Sequence, residues 1–483
     1  MTTTDLPAGA AVPDHLDDVA AAFAGWRQQA RHHLDDLVRI RSISALPDHA
    51  DEVRRCAGQV VELLRDAGLE HVRLLELDGA HPYVTGEWCH AGDDAPTVLL
   101  YAHHDVQPVG TADRWSSEPF EPTERHGRLY GRGAADDKAG IVAHAAAVRA
   151  WLDARGELPV NVRVVIEGEE EIGSPNLARF LDAYGAELAS DVIVLTDLVN
   201  WQVGWPGLTY ALRGMGEAWV TVRTLDQPVH SGMWGGLVPD ALTAMSRLLA
   251  GLHHDDGSIA VPGFTDDVRE LPAAERSRLD ELAADPDELA EAVRLRDGVD
   301  FVGDPDRSVL ERLWMQPTIT PTGMDVPPVA HASNTLLSEV TVKLSCRLAP
   351  GQDPDRAMNR LRDHLLAAAP WGVEVAVELG ERSAAWVTEP AGPAWDAAVA
   401  ALGAAYGREP AALGCGGSIP FVEPFSAAFG GAPCLLIGIE DPASNAHGED
   451  ESLHLADFER ACLGEVLLLA ELAARRDELR PGG

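Results

Sequence analysis

The chain has 483 residues, 46% hydrophobic and 24% charged, which is ordinary for a globular protein large enough for two domains. Its charge is unusual, because 77 Asp and Glu against 38 Lys and Arg give a formal net charge of −39 at pH 7. A surface this acidic repels phosphate backbones and anionic lipids, so we expect neither nucleic acid nor a membrane as a partner.

The start of the chain and its cysteines indicate the compartment. The opening Met1-Thr-Thr-Thr-Asp5 lacks the basic and apolar regions of a secretory signal. No segment approaches the roughly 18 consecutive apolar residues of a transmembrane helix. The six cysteines are scattered without the paired spacing of a disulfide framework or a zinc finger. We therefore expect a cytoplasmic protein with reduced thiols.

From residue 14 to about 211, helical and strand-like patterns alternate along the chain. Apolar residues at helical spacing begin at Leu16, and apolar runs at 97–101, 160–166 and 192–195 have the length of strands. Strands that alternate with helices predict an α/β fold with a mostly parallel central sheet.

Residues 212–384 show a different order of elements. Their periodicities predict β-α-β-β-α-β, which is the ferredoxin-like α+β arrangement. In one predicted strand, apolar residues from Val340 to Leu348 alternate with polar ones, which places Arg347 on the polar face. An acidic stretch at about 264–306 interrupts the order. It predicts a helical surface insertion, for which the simplest interpretation is a solvated charge run without function.

After residue 385 the chain returns to the first pattern, with an apolar run at 434–439 followed by the polar segment around His447. This return predicts that 385–483 completes the first domain. We therefore predict a discontinuous domain, 14–211 and 385–483, with 212–384 inserted into it.

Acidic and histidine side chains follow the predicted strands of the first domain. His103 and Asp105 come after one strand, Glu170 and Glu171 after the next, and Asp197 after the third. Open α/β sheets bind ligands at the carboxyl ends of their strands. Two metal ions require five or six nitrogen or oxygen ligands, one of them a bridging carboxylate, and a separate carboxylate to move protons. These residues supply part of such a set.

Asp136 and His447 would complete the set, although each segment alone permits a structural interpretation. Asp136 follows a glycine-rich turn and would also serve as a helix cap, and a histidine in such a chain is often only a structural one. Adjacent carboxylates such as Glu170 and Glu171 repel each other unless a cation or shared proton relieves them, which favours one as ligand and one as base. Asp105 stands where it can accept the other ring N–H of a ligand histidine.

Five segments, in order within residues 30–470, resemble a known group of enzymes. They are Tyr101-Ala-His-His-Asp-Val-Gln-Pro108, Gly131-Arg-Gly-Ala-Ala-Asp-Asp-Lys138, Glu167-Gly-Glu-Glu-Glu-Ile-Gly-Ser174, Val229-His-Ser-Gly-Met-Trp-Gly-Gly236 and Gly416-Gly-Ser-Ile-Pro420. They resemble the dinuclear-zinc metallopeptidases of the carnosinase, bacterial dipeptidase, acetylornithine deacetylase and succinyl-diaminopimelate desuccinylase superfamily, most closely the carnosinase-like dipeptidases. The resemblance implies a catalytic α/β domain interrupted by a lid and dimerisation domain.

The resemblance also implies a role for each candidate ligand. His103 and Asp197 would hold one metal, Glu171 and His447 the other, and Asp136 would bridge them. The peptide bond after Asp136 would be cis. In this scheme Glu170 is the general base on a water bridging the metals, and Asp105 supports the first histidine.

Four residues of the lid and of the last motif are implied in substrate binding or catalysis. His230 would reach into the partner subunit's site and stabilise the oxyanion. Arg347 would bind the substrate carboxylate as a fork, with Asn334 and Ser418 as further substrate contacts.

Two positions depart from the family pattern. Gly414-Cys415 stands where many relatives carry Arg-Glu, which affects contacts at the far end of the substrate. Asp450 stands where relatives often carry Asn, which would add negative charge near a metal.

These observations predict a homodimeric metallodipeptidase that hydrolyses a dipeptide or a similar small amide with a free carboxylate. Two divalent ions are expected, with Zn²⁺ preferred and Mn²⁺ or Co²⁺ as alternatives. An N-acyl-amino-acid deacylase is the first alternative, since its substrates present the same amide and carboxylate. A catalytically silent binding protein on the same scaffold is the second.

Overall fold

A computed structural model describes residues 6–419 and 421–480 of the chain. Pro420 and residues 481–483 of the predicted first domain lie outside them. The helices, in chain order, are α1 (Asp17–Val38), α2 (Ala50–Ala67), α3 (Lys138–Arg155), α4 (Leu177–Leu188), α5 (Ser231–Trp234), α6 (Ala241–Ala250), α7 (Ala273–Glu281), α8 (Pro286–Ala292), α9 (Val309–Met315), α10 (Pro354–Ala367), α11 (Pro393–Tyr406), α12 (Val422–Ala428), α13 (Leu455–Ala474) and α14 (Arg476–Leu479).

The strands follow the same chain order. They are β1 (Glu70–Leu75), β2 (Tyr83–Trp88), β3 (Thr97–His103), β4 (Thr123–Arg125), β5 (Arg128–Tyr130), β6 (Asn161–Glu167), β7 (Val192–Val199), β8 (Gly207–Leu212), β9 (Gly214–Arg223), β10 (Val229–His230), β11 (Thr318–Met324), β12 (Thr335–Leu336), β13 (Glu339–Leu348), β14 (Glu374–Ser383), β15 (Trp386–Val387), β16 (Ala411–Cys415), β17 (Cys434–Glu440) and β18 (Ser452–His454).

The chain divides into two units. The first consists of the described residues up to Tyr210, of Glu389–Leu413, and of the described residues after 420. The second consists of Ala211–Thr388 and Gly414–Ile419. The sequence pattern predicts 414–419 within the first domain. It groups with the second because the backbone N–H of Arg213 donates to carbonyl oxygens in this segment.

The first unit is built on a sheet with the strand order β1-β2-β6-β3-β7-β17-β8. Neighbouring strands from β6 to β17 are parallel, while β2 and β8 run antiparallel to their neighbours. The predicted α/β fold with a mostly parallel central sheet is confirmed. The residues Val98–Tyr101 of β3 are completely buried, as expected for a parallel strand covered on both faces.

This sheet brings the ends of three strands to one edge. β3 ends at His103 and β6 ends at Glu167, and a turn then carries Glu170 and Glu171. β7 extends four residues beyond the predicted strand end, so Asp197 lies inside the strand and not after it. Because parallel strands share their direction, their carboxyl ends lie at the same edge of the sheet.

The second unit has the predicted ferredoxin-like arrangement. Its four-stranded antiparallel sheet has the order β11-β13-β9-β14, and α6 and α10 connect its strands. On β13, residues from Val340 to Leu348 alternate between buried and half-buried, so Arg347 lies on the face opposite the core. The side chains of Asp240 and Asp353 cap α6 and α10 by accepting backbone N–H groups.

The acidic stretch 264–306 contains the short helices α7 and α8. α8 has no buried residue, whereas α7 buries Leu279 and the carboxylate of Glu275, which pairs with Arg269 at 2.8 Å. Throughout the described part of the chain, every helix is too short or too polar to span a bilayer.

Candidate metal centre

The carboxylate of Asp136 lies between two histidines. Its Oδ1 is 3.0 Å from Nε2 of His103, and its Oδ2 is 2.9 Å from Nε2 of His447. Each histidine belongs to a group of three residues whose ligand atoms lie within 4.8 Å of one another. The groups are His103, Asp136 and Asp197, and Asp136, Glu171 and His447. The structure thus brings all five predicted ligands together, with Asp136 in both groups.

In the first group, His103 and Asp136 are buried and Asp197 is partly buried. His103 ends β3 and is completely buried, and its Nδ1 lies 3.1 Å from the backbone carbonyl oxygen of Asp105. The carboxylate of Asp105, the partner we predicted, is farther from Nδ1, at 3.4 Å. It also accepts hydrogen bonds from the backbone N–H groups of Glu170 at 3.2 Å and Glu171 at 3.1 Å. Asp105 therefore positions the segment that carries both glutamates.

The second group is more open. His447 has a left-handed backbone (φ 63°), and its side chain is 59% exposed. Its Nε2 is 3.2 Å from Oε2 of Glu171. Gln107 fixes this carboxylate, since its backbone N–H and its side-chain amide donate to the two oxygens at 3.0 and 2.8 Å. Gln107 lies in the motif that contains His103. Apart from this position, nothing in the sequence indicates that Gln107 contacts Glu171.

The donors fit a metal ion. Nδ1 of His103 faces a carbonyl oxygen, so a neutral His103 would carry its ring proton on Nδ1 and present the lone pair of Nε2 to a metal ion. That nitrogen is buried without a hydrogen-bond partner among the described residues, and carboxylate oxygens of Asp136 and Asp197 lie 3.0 and 3.7 Å away. Lone pairs that face each other repel unless a cation lies between them. Imidazole nitrogens and carboxylate oxygens are donors that Zn²⁺, Mn²⁺ and Co²⁺ accept.

The pKa shifts report the same excess of buried negative charge. Burial, reinforced by the charge of Asp136, raises the pKa of Glu171 to about 7. Burial also raises the pKa of Asp197. Hydrogen bonds to Asp136 and Glu171 raise the pKa of His447 to about 11. The cluster therefore attracts positive charge, which protons or a metal can supply.

Glu170 belongs to neither group of ligands. Its Oε2 is 4.0 Å from Nε2 of His103, beside both groups. Burial raises its pKa well above the usual range, against the opposing charge of His103. Glu440, at the end of β17, is a further buried acid that the sequence did not reveal. Burial and the charges of Asp136 and Asp197 raise its pKa well above its ordinary value.

The peptide bond between Asp136 and Asp137 is cis, as the resemblance implied. The side chain of Asp137 accepts hydrogen bonds at 3.2 Å from the backbone N–H groups of His103 and Gly140. The second of these bonds caps α3. The capping role considered for Asp136 therefore falls to its neighbour, and Asp136 points to the histidines.

The remaining candidates form two pairs within the second unit. Nη1 of Arg347 donates to the hydroxyl of Ser418 at 2.9 Å. His230 and Asn334 lie in adjacent segments, where β10 pairs with β12 and the carbonyl of Asn334 accepts from Ser231 at 2.9 Å. Both His230 and Asn334 are exposed.

The structure explains both departures from the family pattern. The carboxylate of Asp450 accepts hydrogen bonds from the backbone N–H and the hydroxyl of Ser116 at 2.8 and 2.6 Å. Both of its oxygens are thus engaged by Ser116. At Gly414 an added Cβ would lie 2.8 Å from Cβ of Trp314, so this position has no room for the arginine of relatives.

The parallel sheet, the carboxylate shared by two histidines and the adjacent glutamate define a metal-dependent hydrolase. The chain belongs to the peptidase family M20/M25/M40, whose profile matches residues 99–469. The predicted resemblance and enzyme class are confirmed.

Individual relatives agree with this assignment. The chain is 32% identical to the cysteinylglycine-S-conjugate dipeptidase of Corynebacterium striatum over 92% of this chain and 95% of that protein. It is 30% identical to the Cys-Gly metallodipeptidase dug1 of Schizosaccharomyces pombe over 78% of this chain and 80% of that protein. The crystal structure of human carnosine dipeptidase 1 superposes with a TM-score of 0.84 at 25% identity, covering 96% of this chain and 99% of that one.

Proposed function

We propose that the protein hydrolyses dipeptides that carry a free carboxylate, using two divalent metal ions. The observation that carries the proposal is the position of Asp136, whose two oxygens lie 3.0 and 2.9 Å from two different histidines. His103 and Asp197 would hold one ion, Glu171 and His447 the other, with Asp136 shared. Zn²⁺ is preferred for this set of imidazole and carboxylate donors, with Mn²⁺ and Co²⁺ as alternatives.

Glu170 is the proposed general base. When bound, the metal ions would lower the pKa of water and polarise the scissile carbonyl. Glu170 takes a proton from the attacking water and passes it to the leaving amine. Burial raises the pKa of Glu170 above that of an ordinary carboxyl group, which favours its uptake of the water proton. Asp105 holds the backbone of Glu170 through a 3.2 Å hydrogen bond and so keeps its carboxylate beside the ligand groups.

The relatives support dipeptides as the substrate class. The Corynebacterium striatum and Schizosaccharomyces pombe proteins are both named as dipeptidases, as is the human protein of similar structure. Arg347 supports the requirement for a carboxylate, because its guanidinium lies against a neutral hydroxyl and forms no ion pair among the described residues. N-acyl amino acids carry the same amide and carboxylate and are the alternative substrates.

We further infer that the protein is a cytoplasmic homodimer in which His230 acts in the partner's site. The exposed apolar side chains that follow His230 support this inference. Met233, Trp234 and Leu237 are 76%, 50% and 80% exposed, which is unusual for a segment that faces only water.

Turnover of a substrate panel by metal-reconstituted protein tests the proposal. The panel contains dipeptides, including Cys-Gly and β-Ala-His, and N-acetyl and N-succinyl amino acids. We expect turnover of dipeptides to exceed turnover of the acyl amino acids. The reverse order would indicate a deacylase, and binding of metal without turnover of either class would indicate a binding protein.

A further inference from the structure

Arg132 and Glu451 form a buried ion pair between the two loops that carry Asp136 and His447. Nη1 of Arg132 lies 2.6 Å from Oε2 of Glu451, and their side chains are 1% and 0% exposed. Arg132 lies in the turn before α3, and Glu451 lies directly before β18. Neither residue was among the predicted site residues.

The carboxylate of Glu451 holds the backbone that leads to Asp136. Its Oε2 accepts a hydrogen bond from the N–H of Gly133 at 3.1 Å, in addition to the bond from Arg132. Its Oε1 accepts from the N–H groups of Ala135 at 3.0 Å and Asp136 at 3.3 Å. Glu451 therefore gathers the donors of this turn around a single carboxylate.

The guanidinium of Arg132 holds the loop of His447. Its Nη2 lies within hydrogen-bond distance of the carbonyl oxygens of His447 at 3.1 Å, Gly448 at 3.0 Å and Pro108 at 3.1 Å. A planar guanidinium places its N–H groups in fixed directions, so Nη1 and Nη2 link the two loops in one geometry.

The His447 loop depends on such contacts. Asn445, His447 and Asp450 all have left-handed backbones, with φ values of 53°, 63° and 60°. This conformation costs free energy for most residues other than glycine, although less for Asn and Asp, so contacts from outside the loop help to maintain it at His447. His103 and Asp197 lie in buried strands, and Asp137 separately ties His103 to the start of α3. The first ligand group is thus held by elements that do not involve Arg132.

We propose that Arg132 and Glu451 are positioning residues that set the metal affinity of the Asp136, Glu171 and His447 group. The His103, Asp136 and Asp197 group shares with them only the 3.3 Å contact between Glu451 and the N–H of Asp136, while His103 and Asp197 are held by strands, so its affinity depends on them less. This inference rests on the proposed binding of two metal ions. The loss of partners that orient metal ligands commonly lowers metal affinity by about 10- to 100-fold.

The test is Zn²⁺ stoichiometry and affinity in the full-length protein, measured by equilibrium dialysis with elemental analysis. We expect wild type to bind two ions per chain. Glu451→Gln should keep one ion at wild-type affinity and bind the second about 10- to 100-fold more weakly. Arg132→Lys keeps the positive charge but loses the fork, so it should show the same asymmetry. It serves as the second variant if Glu451→Gln does not fold.

Glu62→Gln is the matched control. It makes the same chemical change in an exposed ion pair, in which Glu62 lies 2.8 Å from Arg65, and should retain both affinities. A second readout separates positioning from general damage, since excess Zn²⁺ should restore the kcat of Glu451→Gln almost to that of wild type.

Three outcomes would overturn the inference. They are unchanged affinities in both variants, an equal loss at both sites, or a kcat that excess metal does not restore. Wild type that binds fewer than two ions would instead contradict the proposed function itself.

Discussion

Nη1 of Arg347 donates a 2.9 Å hydrogen bond to the hydroxyl of Ser418, which in turn donates at 2.5 Å to the backbone carbonyl of Arg213. The guanidinium of Arg213 is bound by carbonyl oxygens of Gly416 and Gln316 at 2.8 and 3.1 Å. Burial, and then the charge of Arg347, lowers the pKa of Arg213 to about 10. The guanidinium groups of Arg213 and Arg347 thus contact neutral groups, although the chain has a net charge of −39 and is rich in carboxylates.

Replacing Arg347 should therefore weaken the binding of a substrate carboxylate. We expect Arg347→Ala to raise KM for free dipeptides by about 10- to 100-fold, as the loss of a charge-assisted hydrogen bond implies. The KM for C-terminally amidated dipeptides, which should be poor substrates of wild type, should change little. Steady-state kinetics on matched free and amidated dipeptides measures the difference. If wild type cleaved both forms equally well, Arg347 would not be the residue that recognises the substrate carboxylate.

Activity should require metal, and Asp136 should matter more for metal binding than His447. Chelation should abolish turnover, and added Zn²⁺, Mn²⁺ or Co²⁺ should restore it. Asp136→Ala should lose more metal than His447→Ala, because only Asp136 belongs to both ligand groups. Elemental analysis of the purified variants provides the comparison. Full activity of the metal-free protein would contradict the assignment.

Glu170→Gln should separate catalysis from metal binding. Because Glu170 belongs to neither ligand group, the variant should keep the metal content of wild type. Its kcat should fall by about 10²- to 10⁴-fold, the usual contribution of acid–base catalysis. Glu171→Gln is the paired variant and should lose metal. If Glu170→Gln lost metal and Glu171→Gln kept it, the roles of the two residues would be exchanged.

Mixing two inactive variants should restore activity if His230 acts across a dimer. Heterodimers of His230→Ala and Glu170→Gln would contain one site in which both functional residues are present. We expect up to about one quarter of wild-type activity from an equimolar, fully exchanged mixture, because half of the dimers are mixed and each has one intact site. Size-exclusion chromatography and kinetics before and after subunit exchange measure the effect. If subunits exchange but activity does not return, His230 either acts in the site of its own subunit or has no role in catalysis.

The buried pair of His144 and Glu465 predicts a pH dependence of stability. Nδ1 of His144 lies 2.7 Å from Glu465, and Nε2 lies 2.8 Å from the carbonyl of Tyr101, so both nitrogens face acceptors. Burial disfavours the cation, but the charge of Glu465 outweighs it and raises the pKa of His144. The stabilisation is therefore complete below the unfolded pKa of about 6.5 and is lost as pH rises through the higher folded pKa.

His144→Gln should accordingly lower Tm, most strongly below about pH 6.5. Leaving the carboxylate of Glu465 buried without its partner should cost about 3–5 kcal/mol. Thermal unfolding of wild type and variant between pH 6 and 9 measures the difference. Arg149→Gln, in the same helix but in an exposed pair with Asp153, is the control and should change Tm little at any pH. If His144→Gln lowered Tm equally at every pH in this range, the stabilisation would not come from a charged pair of His144 and Glu465.

Two features of the sequence predicted much of the fold and the site. They are the local periodicity of apolar residues and the position of polar residues near the ends of predicted strands. Alternation along β13 predicted the buried face and placed Arg347 opposite it, because side chains alternate across a strand. The apolar strands β3, β6 and β7 predicted that polar residues near their carboxyl ends would meet, because parallel strands share their direction. Family resemblance then paired the ligands, and the structure places Asp136 between His103 and His447.

Contacts between loops were decided only by the tertiary structure. The carboxylate of Asp105 lies 3.4 Å from Nδ1 of His103, as local spacing suggests, and also accepts the backbone N–H groups of Glu170 and Glu171, which the spacing did not indicate. Asp450 turns to Ser116, and segment 414–419 groups with the second unit. Arg132 and Glu451 are 319 residues apart in the chain. Loops lack the repeating geometry of helices and strands, so side-chain direction in them follows from individual backbone angles and from partners that only folding brings near.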